Sequence, residues 1–117
     1  MNTTAYIITG PTASGKSEFA HALALQTNGT IINCDSVQIY RGIESISASP
    51  FVGRDNFDEI DGVPYRLFSV LPLTEQISVS EYLELAHSEY KAALGAGRTP
   101  IFVGGTSATF VRNIRHW

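Results

Sequence analysis

Short apolar runs alternate along the chain with segments of helical periodicity. Ala5 to Thr9 is a β-branched and aromatic run ending at Gly10, and Thr30 to Cys34 is a second, ending at Asp35; both have the length of buried strands. Between them, Lys16 to Gln26 carries Phe19, Ala22 and Leu23 at i, i+3 and i+4, and Asn28-Gly29 follows as a terminator. The spacing predicts a helix with those three residues on its apolar face. A longer helix is announced by Ser78 and Glu81, spaced as a capping box. Val79, Leu83, Ala86, Tyr90 and Leu94 then share one face, and Gly95-Ala96-Gly97 closes it. Ile101-Phe102-Val103 is a short apolar strand broken by Gly104-Gly105, and Tyr65 to Leu71 is a strand candidate between Pro64 and Pro72. Strand, helix and strand in alternation predict an α/β fold, a parallel sheet with helices on both faces.

Residues 41–64 lack such a pattern. Ser45, Ser47, Ser49 and Pro50 read as loop, and the acidic cluster Asp55, Asp58, Glu59 and Asp61 reads as a solvated surface loop rather than a metal site. No internal repeat or linker divides the chain, so residues 1–117 are expected to form one domain.

Composition narrows the function classes. With 44% hydrophobic and 16% charged residues, the 117-residue chain fits a globular domain with one modest core, not a disordered or fibrous segment. Eight Lys plus Arg against eleven Asp plus Glu give a formal charge of -3, so any nucleic-acid partner needs a local basic surface. The single cysteine, Cys34, excludes an internal disulfide and a cysteine-based zinc site, and its apolar strand suits a small buried residue better than a nucleophile. The first apolar run is too short for a signal h-region or a membrane span, so a cytoplasmic protein with no membrane partner is expected.

One motif carries specific chemistry. Gly10-Pro11-Thr12-Ala13-Ser14-Gly15-Lys16-Ser17 satisfies G-x-x-x-x-G-K-[ST], and it follows a predicted strand and opens a predicted helix. In that context the glycines let backbone N–H groups wrap a phosphate at the positive end of the helix. Lys16 would neutralise outer phosphate oxygens, and Ser17 could give its hydroxyl to Mg²⁺. Kinases, NTPases and diphosphate-releasing transferases can all use such a cradle.

The ends of the other strands bear on that choice. Asp35 follows the second strand and Gly104-Gly105-Thr106 follows the last, so both lie at the sheet edge where ligands of open α/β sheets bind. Asp35 has three candidate roles: general base, partner of Mg²⁺, or cap of the turn at Asp35-Ser36. Ile101 to Val103 runs into glycines rather than an acid, which disfavours a motor-type ATPase. His21, His87 and His116 show no ligand spacing and read as structural or surface residues, and Arg41, Arg112 and Arg115 are scattered.

Four segments in order resemble the tRNA dimethylallyltransferases, also called tRNA isopentenyltransferases: Gly10 to Ser17, Asn33 to Gly42, Gly62 to Leu67 and Pro100 to Thr106. The resemblance implies a P-loop NTPase-like fold, and the chain would be the N-terminal part of a longer family domain. It implies transfer of the dimethylallyl group of dimethylallyl diphosphate to N6 of adenosine 37 in the tRNA anticodon arm, with diphosphate released. Under it, Thr12 to Ser17 grip the diphosphate, Asp35 is the general base, and Thr106 hydrogen-bonds in the reaction centre. Asp35, Ser36, Val37 and Gln38 contact tRNA. The chain departs from the family pattern at Ser49, where a lysine is usual, and at Tyr65-Arg66, where histidines are usual. The alternatives are an ATP-dependent small-molecule P-loop kinase and a phosphate-binding module without turnover.

Overall fold

A computed structural model of the chain describes residues 4–10, 15–45, 49–105 and 108–117. In chain order the elements are β1 (Tyr6–Ile8), α1 (Lys16–Thr27), β2 (Gly29–Asn33), β3 (Glu59–Ile60), β4 (Val63–Arg66), α2 (Val79–Gly95), β5 (Thr99–Val103) and α3 (Ala108–Ile114). They build a five-stranded sheet in the order β1-β5-β2-β4-β3. The β1–β5, β5–β2 and β2–β4 pairs are parallel, with Ile31 opposite both Ile101 and Tyr65, whereas the two-residue β3 runs antiparallel to β4.

Strand alternation sorts the apolar residues into two cores. Ile31, Ile101 and Val103 pack with Ala20 and Ala24 of α1 and with Phe51, Tyr65 and Phe68. Their neighbours Ile32 and Phe102 point to the opposite face, against Ala86 of α2 and Phe110 and Ile114 of α3. Helices therefore cover both faces, as expected of strands that are apolar throughout.

The apolar face of α1 differs from the predicted one. Ala20 and Ala24 are buried, while Phe19 is 62% exposed. Small side chains win this position because α1 lies hard on the sheet: a Cβ added at Gly29 would stand 2.6 Å from Ile101 Cδ1 and 3.2 Å from Ala24 Cα. On α2 the predicted face is largely right, with Ala86 buried and Leu83 and Tyr90 half-buried, but Val79 in the first turn is exposed.

The strand expected at Tyr65 to Leu71 begins and ends earlier, at Val63–Arg66. Leu67 (φ 66°) and Ser69 (φ 53°) take left-handed backbone, which no ladder can continue. Pro64 is tolerated inside β4 because the bond toward the β3 side comes from the Tyr65 N–H, to Asp58 O at 2.8 Å, and pairing with β2 begins only at Tyr65, so no ladder bond is lost at the proline. The segment expected as loop thus contributes β3 and the start of β4, while Asp55, Asp58, Glu59 and Asp61 are all exposed. Ser47 lies outside the described residues, and no helix of the described chain is long and apolar enough to cross a membrane.

Candidate active site

Helices α1 and α2 begin in contrasting ways. Ser78 Oγ accepts the Glu81 N–H at 3.1 Å and the Glu81 carboxylate accepts the Ser78 N–H at 3.1 Å, so α2 fills its own first-turn donors. The residue before α1 is Gly15, at φ 81° and ψ 9°, and it offers no side-chain cap. Left-handed backbone costs other residues roughly 1–2 kcal/mol, which explains a glycine there. Among the described residues no side chain caps the first-turn N–H groups of α1, which stand at the positive end of its dipole.

Lys16 Nζ donates to the Gly10 carbonyl at 2.6 Å, so the ammonium reaches back from α1 to the end of β1. Ser17 stands half-buried on the first turn of the helix beside it. Gly10, Gly15, Lys16 and Ser17 are therefore brought together as the sequence predicts. Pro11, Thr12, Ala13 and Ser14 lie outside the described residues, as does Thr106.

Asp35 emerges at the same edge. Because β5 lies between β1 and β2, their ends stand two strand spacings apart, about 10 Å. A glycine makes the junction between them close: a Cβ on Gly104, at φ 154°, would stand 2.6 Å from Cys34 C and 2.7 Å from Asp35 N. The Gly104 N–H donates to Ile8 O at 3.1 Å and the Cys34 N–H to Val103 O at 2.7 Å. The turn leaving β5 is thus tied to both neighbouring strand ends.

Asp35 Oδ1 accepts the Val37 N–H at 2.9 Å, so the capping role left open by the sequence is real. Among the described residues no group bonds Oδ2. Ser36 and Val37 are exposed and Gln38 is half-buried, its carbonyl accepting the Ser69 N–H at 3.0 Å. Against Cys34 and Ser36, the neighbours of Asp35, opens a cleft of about 210 Å³ whose lining is mostly apolar, with Ile39, Ile77, Val79, Tyr82 and Phe110 beside Ser78 and Gly105. Burial pushes the Cys34 thiol up to about 12, so it is a buried thiol at neutral pH. Burial, with the nearby Cys34 and Asp35, also drives the Tyr82 phenol well above its ordinary value, and it stays a neutral donor.

The remaining candidates have structural partners. His21 Nδ1 pairs with the Tyr65 hydroxyl at 2.6 Å and His87 stacks on Trp117 with centroids 4.7 Å apart, while His116 is exposed. Arg41 Nε donates to Ser69 O at 3.1 Å, its guanidinium lying 5.4 Å from the Phe57 ring centroid. Arg112 and Arg115 are exposed. Among the described residues no three His, Cys, Asp or Glu side chains stand together as a metal cluster.

Sequence reasoning passed over Asn33 and Tyr82. Asn33 is fully buried, donating to Asp35 O at 2.8 Å and Leu67 O at 2.9 Å and accepting the Asp35 N–H at 2.7 Å. Tyr82 donates its hydroxyl to the Asn33 carbonyl. A polar side chain inside an otherwise apolar strand was the available signal for Asn33. Nothing local marks Tyr82, whose partner is 49 residues away.

A largely parallel sheet covered on both faces, with the G-x-x-x-x-G-K-[ST] sequence joining its first strand to a helix that Lys16 opens, defines the P-loop class of phosphate-binding α/β proteins. Within that class, the family model described as IPP transferase matches residues 38–114, and that described as isopentenyl transferase matches residues 3–62. The chain belongs to the IPP transferase family. It is 45% identical over 100 residues to a tRNA dimethylallyltransferase of Rickettsia bellii, covering 86% of this chain and 30% of that protein. A Gluconacetobacter diazotrophicus protein of the same name is 47% identical over 100 residues, covering 86% and 29%. Among solved structures, a full-length tRNA isopentenylpyrophosphate transferase of Bacillus halodurans superposes with a TM-score of 0.81 at 33% identity, covering 98% of this chain and 36% of that one. A eukaryotic dimethylallyltransferase acting on tRNA gives a TM-score of 0.80 at 26% identity, covering 94% and 26%. The chain spans about 30% of the length of the curated relatives it matches.

Proposed function

We propose that the chain carries the diphosphate-holding and proton-accepting half of a tRNA dimethylallyltransferase site. The reading rests on one observation: an uncapped helix N-terminus with Lys16, the Asp35 carboxylate and an apolar cleft all open at one sheet edge. In this reaction the adenine N6 lone pair attacks C1 of dimethylallyl diphosphate, and the C1–O bond breaks with its electron pair leaving on diphosphate. The N6 proton passes to Asp35. An exocyclic adenine amine is a weak nucleophile, so a carboxylate placed to take its proton lowers the barrier as the C–N bond forms. Lys16 and the open amides of α1 stabilise the charge that gathers on the departing diphosphate.

Ser17, beside Lys16 on the first turn of α1, suits Mg²⁺, which takes hard oxygen ligands and borrows the rest from diphosphate and water. When bound, the ion would add charge stabilisation to the leaving group. The cleft of about 210 Å³, lined by Cys34 and Ser36 on either side of Asp35 in sequence, offers apolar walls for a five-carbon prenyl chain. Asp35, Ser36, Val37 and Gln38 would face the tRNA, with its anticodon arm as partner, and Thr106 would hydrogen-bond in the reaction centre. The cytoplasm, where tRNA is modified, is the compartment this reading implies, and residues 1–117 act as the N-terminal, P-loop part of the family domain.

The test grafts residues 1–117 in place of the matching segment of the Rickettsia bellii relative and supplies dimethylallyl diphosphate, ATP and an anticodon stem-loop RNA. Prenylated RNA without ATP consumption is the expected result. ATP-dependent phosphorylation would install the kinase reading instead, and pyrophosphate binding without transfer would leave a phosphate-binding module.

A further inference from the structure

We propose that Asn33 is the positioning residue for Asp35, a neutral clamp that fixes the direction of the carboxylate without touching substrate. This rests on the assignment of Asp35 as proton acceptor. Asp35 sits on a chain that has just left the sheet, where no ladder holds it, since the last β2 pair is Asn33 opposite Val103. A loop in that position wanders unless something else fixes it. Asn33 supplies the fixing. Its Oδ1 takes the Asp35 N–H at 2.7 Å and its Nδ2 gives one bond to Asp35 O at 2.8 Å, so the peptide groups on both sides of the Asp35 Cα are held. The second Nδ2 proton goes to Leu67 O at 2.9 Å, on the neighbouring chain where β4 has turned into left-handed backbone.

Each end of this amide is used, and a buried amide in that state is rigid because any rotation strands a donor or an acceptor. The Tyr82 hydroxyl, donated to the Asn33 carbonyl, ties the same residue to α2. Asp35 is thereby referenced to three elements at once, β2, the end of β4 and α2. With its backbone fixed, the Val37 N–H holds Oδ1, and the direction of Oδ2 follows. Only an amide satisfies this geometry. Aspartate at 33 would turn a carboxylate toward two carbonyl oxygens, and leucine would leave two acceptors and a donor without partners.

The test is amide hydrogen exchange in the 117-residue chain, read at Asp35 against Ile31 and Ile101 in the ladder as internal controls. Asn33→Ala should speed exchange at Asp35 by about tenfold or more relative to those controls. Asn33→Ser keeps an oxygen that can accept the Asp35 N–H but cannot reach Leu67 O, so it should give partial rescue. It also carries the test if the alanine variant does not fold. A general loss of stability would raise exchange at the controls equally, and that result, or an Asp35 rate within twofold of wild type in the serine variant, overturns the clamp. The link to chemistry is read by a double-mutant cycle on dimethylallyl transfer. Asn33→Ser should lower turnover about tenfold when Asp35 is present and less than twofold in an Asp35→Asn background, with pyrophosphate affinity unchanged in both. Equal losses in the two backgrounds contradict positioning through Asp35. The cycle is run in the chimera with the Rickettsia bellii relative; absence of transfer in the chimera without these substitutions counts against the proton-acceptor reading, and the exchange ratio then decides the clamp by itself.

Discussion

Gly104→Ala is the substitution whose cost the structure fixes best. The added Cβ would meet Cys34 C at 2.6 Å, Asp35 N at 2.7 Å and Cys34 Cβ at 3.0 Å, and two of those three atoms are backbone that cannot swing aside. Forcing a methyl group into a packed site costs about 1–3 kcal/mol. A φ of 154° adds to that, since such backbone is essentially reserved for glycine and costs about 1–3 kcal/mol elsewhere. The sum, about 2–6 kcal/mol, is a large share of the 5–15 kcal/mol that typically holds a domain together. At roughly 4 °C per kcal/mol for a chain of this size, the melting temperature should fall by roughly 8–24 °C. Gly105→Ala is the control, because a Cβ there meets nothing among the described residues and the backbone has no positive φ. It should stay within about 0.5 kcal/mol of the parent. Thermal unfolding followed by circular dichroism and by the single tryptophan, Trp117, reads both variants. A fall of less than about 3 °C for Gly104→Ala, or equal falls for the two, would refute the claim that the β5 turn presses on the Asp35 backbone.

Two further outcomes follow from the same geometry. Lys16→Ala should weaken pyrophosphate binding roughly tenfold to a hundredfold, the range for a lost charge-assisted bond, and isothermal titration with unchanged affinity would contradict the cradle. Glu44 is held below its usual value of 4.5, first by the hydrogen bond from the Ser69 hydroxyl at 2.6 Å and further by the Gly42 N–H and Arg41. Its contribution to stability is therefore fully present above 4.5 and is lost as pH falls through the lower folded value, so a carboxyl NMR titration should give a midpoint below 4.5, and a midpoint at or above it would refute the bond.

What could be read from the sequence was what local chemistry decides. The capping box Ser78-Glu81 sits within one turn, and the start of α2 was legible to the residue. The places of Gly10 and Asp35 were legible because each abuts the end of an apolar run, and that of Lys16 because the motif spacing puts it at the start of the helix that follows. The buried face of α1 was not legible, since Phe19, Ala20, Ala22, Leu23, Ala24 and Leu25 put apolar groups all around the helix and only the tight approach at Gly29 selects the alanines. The end of β4 was hidden because Leu67 and Ser69 are non-glycine residues in left-handed backbone, held there by long-range bonds, from the Asn33 amide to Leu67 O and from the Ser69 N–H to Gln38 O. Gly104 announced a break in the strand, but its contact with the Asp35 peptide spans 69 residues and exists only once β5 has inserted beside β2.

The central claim is that binding and proton transfer are divided between the two strand ends, Lys16 and its loop holding diphosphate and Asp35 taking the proton. Asp35→Asn measured for pyrophosphate affinity and for dimethylallyl transfer to an anticodon stem-loop, in the chimera with the Rickettsia bellii relative, separates them. The account predicts affinity within about twofold of the parent and transfer lower by about 10²–10⁴. Affinity and transfer falling together would put Asp35 in the diphosphate or metal shell and contradict the account.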